Sequence, residues 1–364
     1  MKKLDWYIIK SFLVTFFFSI FLFTVIAVVV DVSEKTDDFV KSGLTFMQIV
    51  NQYYIPFIPH IIALLFPLFV FIAVIFFTSK LAGRSEIIAI LASGVSYRRI
   101  MLPYFIGGVL LAGLLLVSNA YIIPQAEVKR LAFQVSYFDN DSPADAMFAN
   151  RQVNRYFRVD SFTYAGLINY DTVTKRGGPF FMHTIKNNTL VYNLRAGSMQ
   201  WDTATKKWRL ETVFERTING LKEHISTQPR KEMSFNFRPI DLNNDEHTKD
   251  VLTSPELGKY IVQQEHRGAE GINDLKIEYY RRVATPVAVI ILTLIGAMVA
   301  GRKVRGGSGV HLAFGFVTAA AFILMDRFST IFSTKGNLPP YIAAWIPNLV
   351  FVFVAMYIYR KAPK

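Results

Sequence analysis

The sequence predicts an α-helical membrane protein with one inserted all-β domain. Three observations lead there. Uncharged runs long enough to cross a bilayer recur at both ends of the chain. The middle, from Pro124 to about Asn273, has no such run and alternates in hydropathy. Basic residues gather on alternate short loops. Composition agrees: 52% of residues are hydrophobic and 15% aromatic, with a mean hydropathy of +0.30, too apolar for an ordinary soluble protein. The net charge of +13 is explained by where the bases sit relative to the spans. With no cysteine, disulfides and thiolate metal sites are excluded, and the redox compartment is left open.

The chain opens on a basic lead, Lys2, Lys3 and Lys10, followed by Ser11 to Val30, SFLVTFFFSIFLFTVIAVVV. That run spans a bilayer. A signal peptide is the competing reading, but the run is long for one and no small-x-small cleavage site follows. DVSEKTDDFVKSG comes next and reads as a polar outer loop. A second span covers about Tyr53 to Ser79. Pro56, Pro59 and Pro67 predict a bend or break near its outer end. His60 lies there and fits a packing or hydrogen-bonding role better than a ligand role.

Ser79 to Ile100, SKLAGRSEIIAILASGVSYRRI, is the loop between spans two and three. It carries Lys80, Arg84, Arg98, Arg99 and one acid, Glu86. Ser85 to Ala92 reads as a short helix, with Ser85 as N-cap and Gly94 as the stop. Such a helix is either gripped by a partner or rests on lipid headgroups. The third span, about Ile100 to Ile123, has Gly107, Gly108 and Gly113 for close helix packing.

Pro124 to Phe138 reads as helix. After Asn150 come seven short alternating or β-branched segments: Tyr156 to Val159, Phe162 to Asn169, Pro179 to Ile185, Thr189 to Asn193, Trp208 to Phe214, His224 to Ser226 and Met233 to Phe237. Turn residues punctuate them, as in a sandwich or open barrel of about seven to ten strands. Ser254 to Arg282 reads as helix returning to the membrane. Spans four to six cover about Val283 to Ala300, Val310 to Ile331 and Tyr341 to Tyr359. Arg302, Lys303 and Arg305 lie between the first two, and RKAPK ends the chain. The charge bias puts both termini in the cytoplasm and the β domain outside. The division is residues 1–124 (spans one to three), 125–273 (β domain) and 274–364 (spans four to six).

Enzymatic signatures are absent. There is no phosphate-cradling loop, HExxH, G-x-S-x-G or dinucleotide fingerprint. The six histidines are scattered, and no cofactor or metal is expected. Asp31 and Lys35 follow span one, and Asp326 and Arg327 fall in the outer half of span five. Charges so placed pair, touch substrate, or sit at the interface with the arginine snorkelling. No run of ionisable residues crosses the spans, which weakens a proton-coupled reading; if energy is needed, something else must supply it.

The arrangement resembles the lipopolysaccharide export permeases of the LptF/LptG family over nearly the whole chain. The resemblance rests on VVDVSEKTDDF after span one, RSEIIAILASGVS, IPQAE after span three, FGFVTAAAFILMDRF and Leu338-Pro339-Pro340; the LptG branch is slightly the closer. It implies a periplasmic β-jellyroll and a bacterial inner-membrane location. It also implies a non-catalytic subunit that passes lipopolysaccharide to a jellyroll bridge. The implied partners are an LptB-type ATPase dimer, a second permease and an LptC-like jellyroll protein; no nucleic acid is involved. The implied ATPase-coupling residues are Arg84, Ser85, Glu86, Ala89, Ala92, Ser93 and Gly94. Lys35, Lys41, Lys129, Arg130, Asp326 and Arg327 are the lipid-binding candidates. A lysine found deeper in span one of some members falls near Val28 here, and the arginines after Pro-Gln are displaced to Lys129 and Arg130. Two other readings remain: a scaffold or receptor displaying a β domain, and an intramembrane lipid-modifying enzyme. The latter would need a nucleophile paired with a base in the spans, and none is found.

Overall fold

A computed structural model of the chain describes residues 3–137, 153–170, 175–186, 188–203, 205–220, 222–235, 237, 248–267, 271–301 and 308–361. The basic loop with Arg302, Lys303 and Arg305 lies outside the described residues. Two compact units emerge: Met1–Phe133 with Lys249–Leu257 and Asn273–Lys364, and Gln134–Thr248 with Gly258–Ile272.

The first unit is helical. Its elements begin with α1 (Lys3–Lys41), α2 (Phe46–Ile49), a π-helical turn (Val50–Tyr54), α3 (Ile55–Gly83), α4 (Glu86–Ala92) and α5 (Tyr97–Val117). A second π turn (Ser118–Ile122) leads into α6 (Ile123–Tyr137). After the sheet come α7 (Thr248–Val251), α8 (Ser254–Arg267), α9 (Ile272–Ala300), α10 (Ser308–Thr334) and α11 (Pro340–Arg360). Among the described residues, six helical stretches are long and apolar enough to cross a membrane: Lys3–Lys41, Phe46–Gly83, Tyr97–Gln134, Ile272–Ala300, Ala313–Thr334 and Pro340–Arg360.

Burial sorts these helices. In α1, Ile8, Phe12, Phe16 and Ile20 recur every fourth residue and are buried against Phe66, Val70 and Val74 of α3 and Tyr104 and Leu111 of α5. The other face exposes Phe17, Phe18, Phe21 and Val25, a surface suited to lipid and not to water. Of the most apolar stretch of each helix, 67% is buried for α9 against 17% for α1, so α9 is central and α1 peripheral. Close approach explains two of the three glycines of α5. A Cβ on Gly107 would sit 2.8 Å from the Phe12 ring, and one on Gly108 would sit 3.2 Å from Thr293 of α9; Gly113 faces open space. Buried polar groups find partners across helices. Thr78 donates to the Tyr104 hydroxyl at 3.0 Å, and Asn348 of α11 donates to the Ala284 carbonyl of α9 at 2.7 Å.

Several expectations change. DVSEKTDDFVK is not a loop: α1 continues through it to Lys41. Asp31, Lys35 and Phe39 fall on one helical face, where Phe39 is buried beside Tyr53 and Tyr54. The break expected from the prolines is absent: α2, the π turn and α3 run on as one helical stretch, Phe46–Gly83, with the wider π turn just ahead of Pro56 and with Pro59 and Pro67 inside α3. Ser85 occupies the N-cap position but at φ +60° and without a capping hydrogen bond. Gly94 ends the helix as expected, at φ +84°. Ser254 to Arg282 is two helices, α8 and α9, parted at Gly271 with φ +75°.

The second unit holds one antiparallel sheet of seven strands: β1 (Val153–Arg158), β2 (Thr163–Tyr170), β3 (Arg176–Gly177), β4 (Phe180–Lys186), β5 (Thr189–Asp202), β6 (Lys207–Asn219) and β7 (Lys222–Met233). Their order is β1-β2-β4-β5-β6-β7, with β3 paired to β5. Alternation puts Leu167, Phe180, Met182, Leu194, Ala196, Leu210 and Val213 on one buried face with Trp208. The Trp208 indole donates to the Phe237 carbonyl at 3.0 Å, which folds the segment after β7 onto that face.

The glycine contacts give a direct test. Gly107→Leu forces α5 off α1 and should cost about 1–3 kcal/mol through overpacking. Gly113→Leu should be near neutral. Melting midpoints of the two variants in detergent check this; equal midpoints would refute the packing.

Candidate functional site

The first candidate feature is α4. Glu86 opens it, where a carboxylate is favoured by the exposed backbone N–H groups. Ile87 is buried in the core of α1, α3 and α5, and Ile90, Leu91 and Val95 pack against that core. The face of Glu86, Ala89 and Ser93 turns the other way. Ala89, Ala92, Ser93 and Gly94 are exposed, and Glu86 is half-buried. Arg84 lies 3.8 Å from the Glu86 carboxylate with 61% of its side chain exposed, too loose and wet a pair to hold the acid. The helix is thus seated by one face, and its other side offers small residues, one acid and the exposed side chain of Ile88. Such a surface accepts a groove and a basic side chain.

The second feature surrounds the C-terminal half of α1. Asp31 is buried and pairs with Lys35 at 2.9 Å. It accepts from the Tyr53 and Tyr54 hydroxyls at 3.3 Å each. The Lys35 ammonium also donates to the Tyr53 hydroxyl and lies 4.7 Å from the Tyr53 ring centre. Phe39, Tyr53 and Phe133 join α1, the π turn and α6 in one aromatic cluster. Lys35 is therefore held in place and still partly exposed, with 28% of its side chain accessible.

The third feature is a cavity of about 610 Å³ lined from α3, α6, α9 and α10. Glu127, 1% exposed, lies 2.6 Å from His60 and 2.7 Å from Arg130. Asp326 is bound by Arg281 at 2.7 Å. Arg282 is buried and donates to the carbonyls of Lys249 and Leu252, at 2.7 and 2.8 Å. Arg327 lines the same cavity, exposed and without an ion-pair partner among the described residues. Of the six lipid-binding candidates, the structure brings Asp326 and Arg327 to this cavity. Arg130 is tied to its wall, and Lys35 borders the aromatic cluster. Lys41 and Lys129 are exposed and line no part of the cavity.

Sequence reasoning missed Glu127, Arg281 and Arg282. Glu127 stood in IPQAE without a role, and its clue was a lone acid beside span three, which must pair if buried. In the sheet, a separate groove of about 490 Å³ holds Phe181, His183, Arg195 and Phe214. Burial, then the Arg195 charge, push the His183 imidazole below its ordinary value.

Fold and site together define a multi-pass membrane protein with an antiparallel sheet inserted between its third and fourth membrane helices. The chain belongs to the LptF/LptG family: the model of the lipopolysaccharide export system permease LptF/LptG matches residues 6–361. It is similar to the lipopolysaccharide export system permease protein LptG of Escherichia coli strain K12, at 19% identity over 368 residues covering 98% of each chain. The same figures hold for LptG of Escherichia coli O6:H1 strain CFT073. The model match assigns the family, and identity at that level does not decide the branch.

Glu127 and Lys129 separate a buried charge from a surface one. Glu127→Ala leaves His60 and Arg130 without their acid and should cost about 3–5 kcal/mol. Lys129→Ala should change stability by no more than about 0.5 kcal/mol. Equilibrium unfolding in mixed micelles checks both, and a mild Glu127→Ala would show that the cluster carries little stability.

Proposed function

We propose that this chain is the permease half-subunit of an ATP-driven lipopolysaccharide exporter in a bacterial inner membrane. Both termini and α4 face the cytoplasm, and the sheet faces the periplasm; the charge bias of the short loops supports this orientation. A partner ATPase of the LptB type binds α4 and supplies the energy. This chain hydrolyses nothing itself and pairs with a second permease. Motion of α4 narrows the cavity between the two permeases and drives the lipid toward the periplasmic sheet and on to an LptC-like bridge. Lys35, Lys41 and Arg327 are the groups best suited to lipid phosphates, as exposed or half-exposed cations beside the spans. Asp326 positions Arg281 at the same cavity.

The observation that carries this reading is the two-faced build of α4. A helix resting on headgroups would bury its apolar face in lipid; here Ile87 is buried in the protein, Ile88 alone of the large apolar residues of α4 is exposed, and Glu86 is half-exposed beside it. A scaffold has no use for such a helix.

The test is Glu86→Ala. A solvated surface acid would be worth no more than about 0.5 kcal/mol. An acid meeting an arginine in a groove costs about 2–5 kcal/mol when removed, since the partner charge is left unpaired, which weakens binding by about 30-fold or more. The variant should fold in the membrane, lose ATPase on gentle extraction and stop lipid transfer. Normal ATPase retention and transfer by Glu86→Ala would refute the assignment.

A further inference from the structure

The first turn of α5 is bonded to both ends of the chain. Four residues, Ser93 to Ser96, separate α4 from α5. Arg99 donates to the Asp5 carboxylate at 2.6 Å, and Asp5, in the first turn of α1, is only 4% exposed. Arg98 donates to the Tyr359 hydroxyl at 2.9 Å, and Tyr359 lies in the last turn of α11. Tyr97 is buried, its ring centre 6.2 Å from that of Tyr359. The sequence reading took Arg98 and Arg99 only as topology signals, and the function above leaves them without a task.

We propose that Arg98 and Arg99 are positioning residues that pass the displacement of α4 to the first and last membrane helices. The inference rests on the reading of α4 as the ATPase-binding helix. Three features carry it. The tether between α4 and α5 is short, so a shift of α4 reaches the first turn of α5 directly. The Arg99–Asp5 bond is charge-assisted and its acid is buried, so the two first turns move together instead of sliding. And α1 is one continuous helix from Asp5 to Lys35, so a tilt imposed at its start is delivered to the end where Lys35 and Tyr53 meet. The hydrogen bond from Arg98 recruits α11 in the same way. The coupling path is therefore branched at the residues that follow Gly94.

The experiment uses the full chain reconstituted with its partner ATPase in lipopolysaccharide-loaded vesicles. Asp5→Asn, Tyr359→Phe, their combination and the exchange Asp5→Arg with Arg99→Asp are compared with the parent. ATPase retention, ATP hydrolysis and lipid transferred per ATP are measured. Retention and hydrolysis should stay near the parent values, whereas transfer per ATP should fall by about tenfold in the combined variant. The charge exchange should recover most of the loss that Asp5→Asn causes. Unchanged transfer per ATP in the combined variant overturns the proposal. So does a fall in melting midpoint with transfer per ATP intact, which would mark the contacts as staples. A parent chain that fails to retain the ATPase overturns the α4 reading, and this proposal with it, and is told apart because it appears before any variant is made.

Discussion

A charged group among apolar helices must meet an opposite charge or a set of hydrogen-bond partners, and in this protein that requirement fixes where the helices are joined. Asp5 meets Arg99 across α1 and α5. Glu127 joins α6 to α3 through His60, and Arg281 joins α9 to α10 through Asp326. Arg282 ties α9 to the segment from Lys249 to Ser254 through carbonyl and hydroxyl groups. Between these joints the bundle is held by apolar packing: Phe12, Phe16, Phe69 and Val70 are essentially fully buried there. Apolar packing between helices is tolerant of small slides, whereas a buried ion pair has one geometry. The joints therefore mark where neighbouring helices are held in one specific geometry.

That division suits the mechanical role proposed for this permease. The seated face of α4, through Ile87, makes the helix part of the bundle rather than an appendage. Its other face, with Ala89, Ala92 and Ser93, is exposed. On α1 the exposed phenylalanines and valines mark a peripheral helix with one face open to lipid. The buried α9 stays central.

Much of the fold was legible in the sequence because uncharged runs of bilayer length have few other uses. The spans, α4 and its glycine stop came directly from such runs and from Gly94. The continuation of α1 was harder to see, since DVSEKTDDFVK is polar by composition; its helical face shows only in the four-residue spacing of Asp31, Lys35 and Phe39. Strands β5 to β7 are longer than hydropathy indicated. KEHISTQPRKEM in β7 has few apolar residues because it lies at the sheet edge among the described strands, where charge and Pro229 discourage further pairing. At the site, Glu86 could be read from its neighbours in sequence. Asp326 could be named but not its partner, since Arg281 lies 45 residues away and long-range pairing leaves no local trace.

The central proposal is that α4 faces the cytoplasm, where an ATPase would bind it, and that the sheet faces the periplasm. Because the chain has no cysteine, Ser93→Cys on the surface after α4 and Lys222→Cys on β7 each give a single reporter. A membrane-impermeant maleimide should label Lys222→Cys once the outer membrane is opened, and Ser93→Cys only after the inner membrane is breached. Labelling of both from the same side would contradict the account.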